Sequence, residues 1–136
     1  MIDVQVGQEL PSLEITATRT TAVRYAGASG DFNPIHHSDR AAQAVGMPQV
    51  IIHGMWTMGA ALRVVTDWLG DPSRVVNYFT RFTKPLSLPD DGVGATMAVT
   101  AKVTAVEDAL ATIAIEARCG DEKLLGAAKA QVRLDD

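Results

Sequence analysis

Apolar and polar positions first alternate at residues 12–18, where Leu13, Ile15 and Ala17 are interleaved with Glu14, Thr16 and Thr18. That period of two predicts a strand with one buried face. Residues 6–11 before it, Val-Gly-Gln-Glu-Leu-Pro, read as a turn. The spacing then becomes helical. Ala22, Val23, Tyr25 and Ala26 share one side of a short helix capped by Thr20 or Thr21 and running to Ala28, with Gly27, Ser29 and Gly30 loosening its end. Ser38-Asp39 precede a further helical turn or two over residues 40–45, stopped by Gly46. Residues 47–53 form an apolar connector without a clear period.

From Gly54 to Leu69 the chain is apolar almost all round, which predicts a buried helix that stops at Gly70-Asp71-Pro72. Sixteen residues carrying Arg63 and Asp67 are too few and too charged to cross a bilayer core about 30 Å thick. Only strand patterns follow, at about 74–84, 94–106, 110–119 and 123–134. Met97, Val99, Ala101 and Val103 line one face of the second of these, and Ile113, Ile115 and Ala117 line one face of the third. Turns at 89–92, 107–109 and 120–121 are short enough for antiparallel hairpins. One strand, a long central helix and four further strands predict an α+β domain whose sheet wraps around that helix.

Composition narrows the function classes. A chain of 136 residues, 47% apolar and 21% charged, fits a single folded domain over 1–136. A net charge of -4 without Lys/Arg runs gives no footing for nucleic acid. The start has no basic leader followed by an apolar stretch, so no signal peptide and no membrane partner are expected. One cysteine, Cys119, excludes an internal disulfide and argues against a Cys/His metal site. A reducing cytoplasm is the expected compartment. Cys119 itself, on an apolar strand face, is expected to be a buried, inert thiol.

The candidate chemistry is concentrated in two pieces, Gly30-Asp31-Phe32-Asn33-Pro34-Ile35-His36 and Val50-Ile51-Ile52-His53-Gly54-Met55. All three histidines, His36, His37 and His53, fall here. Asn33-Pro34 favours a turn, because proline disfavours helical geometry in the residue before it, so Asp31 and His36 stand at the two ends of one bend. Gly54 opens the long helix. Its amide therefore sits where unpaired N–H groups and the helix dipole attract negative charge. An acid, an imidazole and an anion-stabilising amide suffice for proton chemistry beside a carbonyl. The plainer alternative for Asp31 is a turn residue bonding its own backbone. His37 is expected to be exposed, and His53 to be a packed residue that positions the helix start. The Met55, Trp56, Met58 and Trp68 stripe reads as core.

These same pieces resemble the signature of the MaoC-like hydratases and dehydratases, the (R)-specific enoyl-thioester hydratases of the hot-dog fold. Val6-Gly7-Gln8-Glu9-Leu10 and Arg81-Phe82-Thr83-Lys84-Pro85 fit the same family, so the likeness spans nearly the whole chain. Within it, the chain is most similar to the B-type catalytic subunits of (3R)-hydroxyacyl-ACP dehydratases of type II fatty acid synthesis.

The resemblance implies a five-stranded antiparallel sheet around the helix at 54–69. It also implies pairing with a second copy or a related hot-dog subunit into a ten-stranded sheet. Asp31 and His36 would hold and activate one water, Asn33 would shape the turn and help order His36, and the Gly54 amide would be the oxyanion hole. The implied activity is reversible dehydration of (3R)-hydroxyacyl thioesters or hydration of trans-2-enoyl thioesters, carried on CoA or acyl carrier protein, with no metal or redox cofactor. Arg81 and Lys84 are candidates for phosphate contacts, although Arg63, Arg74, Arg81 and Lys84 read more readily as solvated element ends. Two other readings stay open: a non-catalytic or partner-dependent hot-dog subunit, and an acyl-CoA thioesterase, for which Asp67 is the lone acid on the central helix and lies at its far end.

Overall fold

The computed structural model describes residues 2–135. β1 (Leu13–Ala17) buries Ile15 and Ala17 and turns Glu14 and Thr16 outward, as the alternation requires. α1 (Arg19–Ser29) is capped two to three residues earlier than expected. Thr18 is the N-cap, and its side chain and that of Thr21 each accept from the other's backbone amide in a capping box. The helix ends on Gly30 in the left-handed region, φ 75°. Asn33 caps a single 3₁₀ turn, Pro34–His36, and Ser38 caps α2 (Asp39–Ala44) by accepting from the Ala41 amide at 3.2 Å.

α3 (Gly54–Leu69) is the long central helix. The sheet is antiparallel, with β2 (Val75–Phe82), β3 (Ala95–Glu107), β4 (Leu110–Cys119), the two-residue β5 (Glu122–Lys123) and β6 (Leu125–Arg133) following in chain order. In space the order is β1-β3-β4-β6-β2, with β5 attached to β4. The five long strands match the expected hot-dog sheet, and the sixth is a stub.

One of the three expected hairpin turns is not a hairpin. Residues 89–92 belong to a crossover from β2 at one edge of the sheet to β3 near the other, and so join no hairpin. A local turn signature cannot tell which strands will pair. The two residues between β3 and β4, Asp108 and Ala109, do make a tight hairpin, with φ values of 47° and 61°. Gly94, at the entry to β3, is needed for space: a Cβ there would come within 2.1 Å of the Ala17 carbonyl oxygen.

Met97, Val99 and Val103 of β3, Ile113 and Ile115 of β4, and Ala130 and Val132 of β6 pack in one core with Ala61, Val64 and Val65 of α3. The helix is not buried all round, contrary to expectation. Met55, Gly59, Arg63 and Asp67 form an exposed stripe at i, i+4 spacing, and Arg63 pairs with Asp67 at 3.0 Å. Met55 is the large apolar side chain in that exposed stripe. Tyr78 of β2 donates to the Met58 carbonyl at 2.7 Å, and burial pushes its hydroxyl up to about 12. Cys119 is half-buried rather than fully buried. No helix among the described residues is long and apolar enough to cross a membrane.

A polar clamp fixes the segment that leads into α3. Asp39 Oδ1 accepts from the Val50 amide at 2.9 Å and from Arg19 Nη2 at 2.8 Å, while Arg19 Nε donates to the Leu88 carbonyl at 2.6 Å. Two backbone bonds, Leu88 N to Val50 O at 2.8 Å and Ile52 N to Leu86 O at 3.0 Å, complete the tie. The Val50 amide, aided by Arg19, holds the Asp39 carboxyl below its ordinary value of 3.8.

Bonds from Ser73 and from the Gly94 and Val93 amides lower Asp71 and Asp91 in the same way. A carboxyl lowered on folding stabilises the native state above its unfolded value, and that contribution disappears as pH falls through the folded value. Thermal melts should therefore weaken steeply from about pH 5 to about pH 3. Asp39→Asn should melt at a lower temperature at neutral pH and lose less on acidification than the parent.

Candidate active site

The loop 31–36 is built from short-range bonds that its residue types dictate. The Asp31 amide donates to Ser29 Oγ at 3.2 Å, the Asn33 amide to Asp31 Oδ1 at 3.2 Å, and the Ile35 amide to Asn33 Oδ1 at 3.2 Å. These are turns in which the acid or amide side chain accepts from the backbone two residues on. Asp31 Oδ1 closes the turn, and Oδ2 faces His36 Nε2 at 3.8 Å. That distance is too long for a direct hydrogen bond. A separation of 3.8 Å allows one water to bond both atoms at about 2.8 Å from each.

His36 is 8% exposed, and its ring is fixed from the next segment. Nδ1 lies 2.7 Å from the Ile51 carbonyl, which can only accept, so Nδ1 carries the proton and Nε2 presents its lone pair toward Asp31. Asn33 acts one step back by capping the turn on which His36 sits, and its carbonyl accepts from the His36 amide at 3.0 Å. Sequence reasoning missed Ile51 because any residue type supplies the same carbonyl.

Gly54 is the first residue of α3, after His53 at the N-cap, and its amide has no acceptor within the helix. His36 and Gly54 both line a cavity of about 340 Å³, walled by Ile35, Met47, Ile52, Phe82, Leu86 and Leu124 with the Thr57 side chain among them. Its walls are apolar, and its charged residue is Lys84. Arg81, proposed alongside Lys84, does not line it. The Phe82 ring covers Gly54 so closely that a Cβ on residue 54 would sit 3.2 Å from it. Phe82 could have been picked out only by knowing that β2 runs past the start of α3. A larger hollow of about 510 Å³ lies on the outer face of the sheet among Glu9, Thr100, Lys102 and Glu116, with no histidine nearby.

Beyond these groups, His53 is 2% exposed and its ring stacks on His36, centroids 3.7 Å apart and planes 24° apart, while Tyr25 leans on it at 4.7 Å. His53 Nε2 lies 3.0 Å from the Asp31 carbonyl. Asp31, His36 and His53 each offer a ligand-type atom within 4.8 Å of the others. Imidazole ligands bind in the ring plane, whereas two stacked rings run their lone pairs side by side. His37 is exposed, as expected, with Nε2 3.3 Å from the Phe32 carbonyl.

Residues 3–118 match the family model described as MaoC like domain. The chain belongs to the MaoC-like dehydratase domain family. A Mycobacterium tuberculosis protein named 3-oxo-4,17-pregnadiene-20-carboxyl-CoA hydratase beta subunit is 31% identical over 113 residues, 83% of this chain and 84% of that one. A 3-hydroxyacyl-thioester dehydratase X from the same organism is 40% identical over 79 residues, 58% of this chain but only 27% of its relative. This MaoC-like chain therefore spans about a quarter to most of the length of such relatives.

Among solved structures, one described as a MaoC-like dehydratase superposes with a TM-score of 0.93 at 34% identity, covering 98% of this chain and 41% of that one. The ChsH1-ChsH2 complex from Mycobacterium tuberculosis gives 0.82 at 27% identity, covering 96% and 99%.

Since the Asn33 side chain caps the turn that carries His36, Asn33→Ala should lower unfolding free energy in urea by about 1 kcal/mol. Asn33→Asp, which keeps the acceptor, should lose a few tenths at most.

Proposed function

We propose that this chain is a (3R)-hydroxyacyl-thioester dehydratase acting reversibly as a trans-2-enoyl-thioester hydratase. The observation that carries the reading is the placement of Asp31 Oδ2 and His36 Nε2 3.8 Å apart, with His36 lining the same apolar cavity as the leading amide of α3. Hydration joins a water oxygen to C3 and a proton to C2 while negative charge gathers on the thioester oxygen. His36 Nε2 takes one proton from the water as its oxygen bonds to C3, Asp31 holds the water by accepting a hydrogen bond from its other O–H, and the imidazolium then gives the proton it took to C2. The reverse order expels water from the 3-hydroxy compound.

The Gly54 N–H receives the oxyanion, where its fixed position at the helix start costs no reorganisation as charge develops. Ile35, Ile52, Leu86 and Leu124 would hold the acyl chain and keep bulk water from the enolate. Lys84 at the cavity suits a phosphate of the carrier, and Arg81 beside it would act only on a more distant part of it. CoA and acyl carrier protein share the phosphopantetheine arm that this cavity would admit. The reading calls for no metal or redox cofactor. It places the chain in cytoplasmic fatty-acid metabolism, as the dehydratase step of type II synthesis.

The assembly proposed with it is a dimer joined through β2 into one ten-stranded sheet. β2 stands at the edge of the sheet and exposes Val76, Phe79 and Phe82 by 50%, 44% and 56%, a long apolar edge that an isolated chain would leave open to pairing. The second copy, or a related hot-dog subunit, is the natural cover for the exposed stripe of α3 as well. A second reading, a hydratase subunit active only with a related partner, is favoured by the near full-length likeness to a protein named as a beta subunit.

Incubation with crotonyl-CoA tests the activity by loss of enoyl absorbance, and Asp31→Asn and His36→Ala should each reduce the rate at least about 10²-fold in folded protein. Near-normal turnover in either removes its assigned role, while release of free thiol would point to hydrolysis instead. Gly54 admits a sharper test. Proline is tolerated at the first helical position and His53 already has the extended ψ of 132° that a following proline requires. Gly54→Pro should therefore fold, delete the N–H and cost about 10²–10³ in kcat relative to Gly54→Ala, which meets Phe82 in the same way but keeps the donor.

A further inference from the structure

Of the groups around the site, one buried side chain has no part in the proton transfers. His53 Nε2 faces the Asp31 carbonyl at 3.0 Å, so this nitrogen carries the ring proton and donates it. His53 Nδ1 is then left with a lone pair, buried and without a hydrogen-bond partner among the described residues. An imidazole kept only for its shape would be a poor choice here. An apolar ring fills the same volume without burying an unmet acceptor. What the imidazole offers, and an apolar ring lacks, is the Nε2–H bond to the Asp31 backbone.

We propose that His53 is a positioning residue that sets the distance between the acid, the base and the oxyanion amide. The proposal rests on the acid and base roles given above. His53 joins the three groups physically. Its Nε2–H holds the Asp31 carbonyl, its ring face stacks on His36 at 3.7 Å, and its peptide bond leads directly into Gly54.

Its own carbonyl accepts from the Trp56 and Thr57 amides at 3.1 and 3.2 Å, which anchors the residue to the first turn of α3. Tyr25 leans on the ring at 4.7 Å and limits its tilt. A shift of the His53 ring would therefore move Asp31 and His36 relative to Gly54. Misplacement of reacting groups by about 1 Å is enough to cost on the order of 10²-fold in rate.

Two substitutions separate positioning from packing. His53→Phe keeps a stacking ring and loses the donor; His53→Gln keeps an amide N–H able to reach the Asp31 carbonyl. Crotonyl-CoA hydration should show kcat reduced about 10- to 100-fold in His53→Phe with KM within about threefold of the parent. Most of that loss should be recovered in His53→Gln.

A His53→Phe enzyme within twofold of the parent would overturn the proposal, as would equal losses in the two variants. If Asp31→Asn is as active as the parent too, the acid–base reading fails; if Asp31→Asn is inactive while His53→Phe is unimpaired, only the role of His53 fails. Imidazole ¹⁵N spectra of the parent protein give an independent check that needs no variant to fold. Neutral His53 should carry its proton on Nε2, and an Nδ1–H form would overturn the proposal.

Discussion

Three hydrogen bonds stitch the loop at 31–36 to the strand-like segment at 51–53, and the geometry of the candidate site depends on them. His36 Nδ1 donates to the Ile51 carbonyl, the Ile51 amide to the Ile35 carbonyl at 3.3 Å, and His53 Nε2 to the Asp31 carbonyl. Each joins residues 15 to 22 positions apart, and none would survive in the separated pieces. Asp31 is half-exposed and its Oδ2 lies 3.8 Å from His36 Nε2, too far for a direct hydrogen bond to hold the pair in place. Position comes from the backbone carbonyls, and the charges are left free for the chemistry.

The rest of the fold serves that stitching. The 50–52 segment lies between Leu86–Leu88 and the clamp of Asp39 and Arg19, and α3 starts where it ends. β3, β4 and β6 supply a core of valine, isoleucine and alanine against which α3 is pressed, so the direction of its first amide is set by the whole sheet. The loop at 31–36 is short and polar and could sit in many ways by itself. Its single arrangement follows from being bonded to a segment that the core does not allow to move.

Much of this was legible in the residues. Alternation at 13–17 and 97–103 located strands, and the apolar run from Gly54 located the central helix almost to the residue. The acid and imidazole around Asn33-Pro34, and the glycine opening the helix, marked the candidate site. What escaped has a common cause. The Ile51 carbonyl, the Phe82 ring over Gly54, the Asp39–Arg19 clamp and the crossover through 89–92 are all set by which distant segments meet, and a single chain carries no local record of that. The exposed Met55, Gly59, Arg63 and Asp67 stripe belongs with these. Its apolar neighbours suggested complete burial, whereas the sheet wraps only one side of α3.

A crystal structure of the Asp31→Asn protein with a bound trans-2-enoyl-CoA tests the central arrangement most directly. The account predicts the thioester oxygen about 2.7–3.1 Å from the Gly54 nitrogen. It also predicts C3 facing a water held by His36 Nε2, with the acyl chain between Ile52 and Leu124. A thioester seated in the outer hollow by Glu9 and Lys102, or bound in the inner cavity with its oxygen turned away from Gly54, would contradict it.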